Sequence, residues 1–207
     1  MNLTPVTIPK VIKTMFPNFI WNINAEEKAL YLTFDDGPTP IITDWVLDCL
    51  KDYNAEATFF CIGKNVELYP QIYNRILEEK HAIGNHTFNH LKGWKTKTSE
   101  YIEDVNKATN QINSNLFRPP YGRIKSKQSK LLIDDGFKIV MWSVLSLDWD
   151  KNVSKNQCFN NVIEKSESGS IIVFHDSEKA SKNIKYVLPK ALDYFTKKGY
   201  VFKRIPE

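Results

Sequence analysis

The run Asn85-His86-Thr87-Phe88-Asn89-His90 sets two imidazoles four residues apart, about the separation that places two side chains on one face of a helix. Two such rings can grip one divalent ion, with a carboxylate as the expected third ligand of a hydrolytic site. Leu32-Thr33-Phe34-Asp35-Asp36-Gly37-Pro38 supplies the candidates, two adjacent acids just beyond an apolar run. One of Asp35 and Asp36 can complete a triad with His86 and His90 while the other accepts a proton from water. A bound ion would acidify that water and polarise a carbonyl, so the pattern reads as metal-assisted hydrolysis. Arg118 is a candidate orienting partner, because a fixed positive charge keeps a nearby carboxylate ionised. His175 can protonate a departing amine, with Asp148 to hold or tune its ring.

Singly, each feature has an ordinary explanation. Asp, Gly and Pro favour turns, a histidine pair can be incidental, and His175 could be a satisfied core residue. Arg118-Pro119-Pro120-Tyr121-Gly122-Arg123 could be a turn stiffened by its prolines. Trp142 and Trp149 could be core, the favoured reading for Trp142. These explanations weaken jointly once the elements that carry the residues are laid out.

Short apolar runs alternate with helical patterns, the signature of β-α units around a parallel sheet. Strands are expected at 29–34, 57–61, 82–84, 116–117, 138–142, 171–174 and 200–202, and helices at 41–52, 70–79, 99–113, 128–135, 156–165 and 184–198. Gly136 and Gly199 supply stop signals for two helices. Seven units in 207 residues are lean for an eight-unit barrel, which takes about 250. The expected fold is α/β, a distorted seven-unit (β/α) barrel in one domain at 29–207, with an open doubly wound sheet as the alternative. Residues 1–28 match no β-α unit and are expected to form an arm packed over one end. In this architecture Asp35, Asp36, His86, Arg118, Asp148 and His175 follow five different strands, and active sites assemble at those strand ends.

Composition excludes other classes. The net charge of +4 is too small and scattered to argue for nucleic acid, and the basic run 92–97 is interrupted by Gly93, Trp94 and Thr96 and reads as a solvated loop. Cys49, Cys61 and Cys158 share no close spacing, so neither a disulfide framework nor a zinc knuckle is expected. With 42% apolar and 25% charged residues, the chain has the make-up of an ordinary soluble domain. No run reaches the length of a membrane span, and Pro5, Pro9 and Pro17 interrupt a start that lacks a signal-peptide core. The default expectation is a cytoplasmic protein with no evident protein partner. A secretion signal removed beforehand would leave the same sequence.

From about residue 29 to 205 the chain resembles the polysaccharide deacetylases of the NodB-homology type, carbohydrate esterase family 4. Thr33-Phe34-Asp35-Asp36-Gly37-Pro38 is similar to the first family motif and His86-Thr87-Phe88-Asn89-His90 to the second. Arg118-Pro119-Pro120-Tyr121-Gly122 is similar to the third, Asp148-Trp149 to the core of the fourth, and Val173-Phe174-His175-Asp176 to the fifth. The resemblance implies that Asp35 is the base and that Asp36, His86 and His90 hold a divalent ion, commonly zinc, with cobalt or nickel also suited. It implies that Arg118 pairs with Asp35, that the Tyr121 N–H helps hold the oxyanion, and that His175 is the acid, tuned by Asp148. Trp149 and Val173 would form the slot for the acetyl methyl, with Pro120 and Tyr121 on the substrate side. Leu145 stands where family members often carry a further Asp, which implies a different substrate-facing surface. The implied activity is removal of N-acetyl groups from amino sugars of an acetylated poly- or oligosaccharide of chitooligosaccharide or peptidoglycan type. An O-acetyl esterase acting on xylan and a non-catalytic carbohydrate-binding protein are the alternatives.

Overall fold

Seven consecutive buried residues, Ala29–Asp35, form β1, the near-continuous apolar run expected of a parallel strand covered on both faces. The structure is a computed structural model describing residues 4–206; residues 1–3 and 207, the outer ends of the expected arm and domain, lie outside the described residues. The other strands are β2 (Thr58–Cys61), β3 (Ala82–Asn85), β4 (Leu116–Phe117), β5 (Lys138–Ile139), β6 (Val144–Leu145), β7 (Ile171–His175) and β8 (Val201–Phe202). They pair in the order β5-β4-β3-β2-β1-β7-β6, with β8 on β1, and every ladder is parallel.

The two outer strands of that order, β5 and β6, are joined by only residues 140–143. The five steps from Ile139 to Val144 reach at most about 18 Å, so the sheet must curl until its edges nearly meet. One segment, 138–145, thus pairs with β4 through its first half and with β7 through its second. The result is an α/β fold of seven parallel strand segments in a curled, barrel-like sheet. The sequence reading placed one strand at 138–142. It breaks because the carbonyls of Val140 and Met141 accept from the Arg118 guanidinium, at 3.2 and 2.8 Å, instead of from a neighbouring strand.

The N-terminal segment covers this seam. Ile20 bridges to Val140, Thr7 to Val144 and Asn22 to Ser170, so the free edges of β5 and β6 are both capped by backbone. The arm was expected to pack over one end; among the described residues it instead runs down the side, and it carries a short helix, α1 (Lys10–Met15), absent from the sequence reading.

The remaining helices are α2 (Ile42–Asp52), α3 (Gly63–Leu68), α4 (Pro70–Glu78), α5 (Thr98–Thr109), α6 (Ser126–Asp134), α7 (Lys155–Lys165) and α8 (Ser181–Lys197). No helix of the described residues is long and apolar enough to cross a membrane. The period of two in β1 sorts its side chains. Leu30, Leu32 and Phe34 join the outer core with Val46 and Leu50 of α2 and Ile184 and Leu188 of α8. Ala29 and Tyr31 belong to the inner core with Phe60, Phe117 and Val173. The same alternation turns Thr33 and Asp35 inward, where both meet Arg118.

Candidate active site

Register aligns the chemistry at the C-terminal strand ends. Asp35 stands level with His175 across β1 and β7 and level with Phe60 across β1 and β2. Asn85, which ends β3, stands level with Phe117, which ends β4, so His86 and Arg118 emerge side by side. The groove above them has a volume of about 520 Å³ and is lined by Asp35, Asp36, His86, His90 and His175 among others.

The candidate metal-binding group, Asp36, His86 and His90, converges without the helix that the histidine spacing suggested. Residues 86–90 are irregular backbone, with Thr87 at φ 63° and His90 at φ 55°. Side chains satisfy this loop instead of helical carbonyls. The Asp104 carboxylate accepts from the N–H groups of Phe88 and Asn89, both at 2.9 Å, Asn85 accepts from Thr87 N–H at 2.8 Å, and the Thr87 hydroxyl accepts from Leu91 N–H at 3.1 Å. The chain bends back, and the two rings lie 5.1 Å apart between centroids. Asp36, at φ 80°, meets them, with Oδ1 3.2 Å from His90 Nε2 and 3.7 Å from His86 Nε2. Left-handed backbone at non-glycine residues is uncommon and gathers at functional sites.

The donor set suits a divalent ion. Ligand atoms of Asp36, His86 and His90 all lie within 4.8 Å of one another. His86 Nδ1 faces the Arg118 carbonyl oxygen at 2.7 Å and must donate to it, which leaves a bare lone pair on Nε2. Burial pulls the His86 pKa down to about 4, so the ring is neutral and ready to ligate. Burial pushes the Asp36 carboxyl up, but His90 first, then His175 and His86, hold it well below the usual carboxylate range.

Behind this group sits a fully buried cation. Arg118 is 0% exposed; its guanidinium lies 4.1 Å from the Phe60 ring centroid and 5.9 Å from that of Trp142. Its Nη1 donates to Asp35 Oδ1 and to the Thr33 hydroxyl, each at 2.7 Å. With the Val140 and Met141 carbonyls, these contacts use the planar fork on both sides, the condition under which a buried charge is tolerated. Burial pulls the guanidinium below its ordinary value and Asp35 works against that pull.

On the opposite wall His175 Nδ1 lies 2.9 Å from Asp148 Oδ1, and the other carboxylate oxygen accepts from His175 N–H at 2.8 Å. Burial disfavours the imidazolium, but Asp148, and more weakly Asp36 and Asp35, outweigh it and push the pKa up to about 9. The Trp149 ring lies tilted against the His175 ring, at 4.6 Å between centroids. Leu145 and Val173 stand in register across β6 and β7, and together with Trp149 they line an apolar stretch of the groove. Tyr121, at φ 61°, lies 4.7 Å from the His90 ring.

One expected position differs. Pro120 is buried in the short turn Pro120–Gly122 and does not line the groove, because its ring faces the protein and shapes the turn that carries Tyr121. Trp142 belongs to the inner core, as expected, packs on Gly122, where a Cβ would lie 2.2 Å from its ring, and also lines the groove.

The sequence reading gave no role to Asp176, which is 0% exposed. Its Oδ2 accepts from the Thr43 hydroxyl at 2.6 Å, its Oδ1 has no hydrogen-bond partner among the described residues, and it abuts Gly37 so closely that a Cβ there would lie 2.0 Å away. Burial, with smaller contributions from Asp36 and Asp35, pushes its pKa up to about 7 against the Thr43 bond. The carboxyl therefore braces the turn that presents Asp35 and Asp36. Asn65 adds a second brace, donating to the Asp36 carbonyl at 2.8 Å.

The family description of polysaccharide deacetylases matches residues 22–140. A peptidoglycan-N-acetylglucosamine deacetylase of Bacillus cereus is 42% identical over 160 residues, covering 74% of this chain and 57% of the relative. The chain thus spans little more than half of that relative's length. A chitooligosaccharide deacetylase of Azorhizobium caulinodans is 35% identical over 161 residues, covering 74% of this chain and 76% of the relative. The crystal structure of a peptidoglycan N-acetylglucosamine deacetylase in complex with 4-naphthalen-1-yl-N-oxidanyl-benzamide superposes with a TM-score of 0.86 at 35% identity, covering 91% of each chain.

Proposed function

Because this chain belongs to the polysaccharide deacetylase family, we propose that it hydrolyses N-acetyl groups from amino sugars of a glycan of peptidoglycan or chitooligosaccharide type. The observation that carries the reading is convergence: Asp35, Asp36, His86, His90 and His175 reach one groove from three different strand ends. Asp35, His86 and His175 each have a hydrogen-bonded partner that supports the role given to them below.

Asp36, His86 and His90 would hold one divalent ion, zinc in the first place and cobalt or nickel as alternatives. Such an ion supplies Lewis acidity, polarising the acetyl carbonyl and easing ionisation of water. Leu145, Trp149 and Val173 receive the acetyl methyl. Asp35 takes the proton of the water that attacks the carbonyl carbon; Arg118 keeps it ionised and aimed. The Tyr121 N–H faces the oxygen on which charge accumulates. His175, protonated and held on Nδ1 by Asp148, delivers a proton from Nε2 to the sugar nitrogen as the C–N bond breaks. Acetate and a free amine result.

Acetate release from peptidoglycan fragments, chitooligosaccharides and acetylxylan tests this. The zinc-loaded protein should release acetate from an N-acetylated glycan, and Asp35→Asn should lower the rate about 10²-fold or more. Release from acetylxylan alone would make the protein an O-acetyl esterase. Tight glycan binding with no release from any of the three would make it a binding protein.

A further inference from the structure

The groove carries more positive charge than deacetylation requires. Lys92, Lys95, Arg123 and Lys179 all line it, and the acids that line it are Asp35 and Asp36. Asp35 is already matched by Arg118, and Asp36 belongs to the metal-binding group. None of the four cations takes part in an ion pair among the described residues. For a chain of net charge +4, this is a concentrated and uncompensated field.

The cations sit on a built platform. Lys92 Nζ lies 5.0 Å from the centroid of the Tyr121 ring, and the Arg123 guanidinium lies 4.8 Å from that of Trp94. Both rings are more than half exposed, Trp94 at 59% and Tyr121 at 54%. The loop beneath is locked: Trp94 Nε1 donates to the Ile124 carbonyl at 3.1 Å, Gln128 Nε2 donates to the Gly93 carbonyl at 3.0 Å, and Lys125 Nζ donates to the Thr96 carbonyl at 2.7 Å. Gly93 passes so near Arg123 that a Cβ would lie 2.5 Å from its carbonyl oxygen. Lys179, four residues after His175 in the chain, lines the groove as well. A glycan chain laid across the metal-binding group therefore meets Lys92 and Arg123 held on exposed aromatic faces, with Lys95 and Lys179 adding positive charge to the same groove.

Resting on the deacetylase reading above, we infer that the groove selects an N-acetylated glycan bearing carboxylates, such as lactyl or peptide carboxylates on neighbouring units, over a neutral one. A neutral acetamido polymer offers these cations nothing in return for their lost hydration, whereas carboxylates on flanking units satisfy them.

The test compares a muropeptide-bearing glycan tetramer, the same tetramer with its carboxylates amidated, and N-acetylchitotetraose. Each is offered to the zinc-loaded full chain and to the variant Lys92→Gln/Lys95→Gln/Arg123→Gln. Specificity constants and direct binding by calorimetry are both read, at low and at high salt. One exposed ion pair carries roughly 1.4- to 5-fold in affinity, so the triple variant should lower the ratio of carboxylated to neutral specificity about 10-fold. The wild-type preference should shrink with salt and vanish on amidation. An equal loss on all three glycans, or a preference that survives amidation, would overturn the inference. So would competition by single-stranded DNA as strong as by the carboxylated glycan, which would mark an unselective anion surface. A wild type that releases acetate from none of the three would fail the deacetylase reading instead, and the calorimetry would still decide the charge preference.

Discussion

Two histidines, one at each end of β3, show how the same burial yields two different groups. His81 precedes the strand at the base of the barrel and His86 follows it at the mouth. They are 5% and 2% exposed, and burial pulls each pKa to about 4. They differ in what the backbone asks of Nδ1. At the base, Ala57 N–H donates to His81 Nδ1 at 3.1 Å, so the proton sits on Nε2 and the ring is a structural acceptor tilted against Phe59. At the mouth, the Arg118 carbonyl takes the proton of His86 Nδ1, and Nε2 turns a lone pair towards Asp36. Burial keeps both rings neutral; the neighbouring backbone group decides which one can ligate.

The largest expected effect lies behind the mouth. Arg118→Met would leave Asp35 buried without its counter-charge, and breaking a buried pair by removing one partner costs about 3–5 kcal/mol. Urea unfolding should report that loss. A cost below about 1 kcal/mol would mean that Arg118 is not the internal brace of the mouth.

The base offers a pH test in the metal-free protein. The unfolded chain takes up a proton near the ordinary histidine value of 6.5, whereas folded His81 does so only near 4. Its contribution to stability is therefore complete above about pH 6.5 and is lost as the pH falls towards 4, on the order of 3 kcal/mol at most. His86 behaves likewise. His81→Asn, which can keep an acceptor for Ala57 N–H but does not titrate, should lower the slope between pH 4 and 6.5 by about one proton's worth, roughly 1.4 kcal/mol per pH unit. An unchanged slope would mean that His81 is not held neutral by its burial.

A smaller effect is expected at the turn that presents the acids. Thr43→Val deletes the hydroxyl on Asp176 and leaves a buried carboxyl with neither oxygen bonded by a side chain, a cost of about 1–3 kcal/mol. Because the raised Asp176 pKa already favours its neutral form, the loss should be greater at pH 8 than at pH 6. A pH-independent loss would mean that Asp176 is neutral throughout.

The sequence reading reached far where one element acts alone. The apolar run before Asp35 located β1 to within a residue of its end, and Leu116–Phe117 is the strand it was expected to be. It failed where distant groups decide. α3 was missed because the helix is short and is seated by a tertiary contact, Gly63 against Phe88 and Ala108. The break after Ile139 depends on Arg118, which is more than twenty residues away. At the candidate site the residue types pointed to metal hydrolysis, but the helical spacing of His86 and His90 suggested the wrong backbone. Asp104 holds their loop in place, and no local pattern announces it. Asp176 was illegible for the same reason: its partner Thr43 lies 133 residues away.

Zinc titration of three proteins, followed by calorimetry, tests most directly whether the mouth, and not the base, is the metal site. The wild type and His81→Asn should each bind one ion per chain, while His86→Ala should bind at least about 10²-fold more weakly. Undiminished binding by His86→Ala, or its loss in His81→Asn, would contradict the assignment of Asp36, His86 and His90 as the metal-holding group.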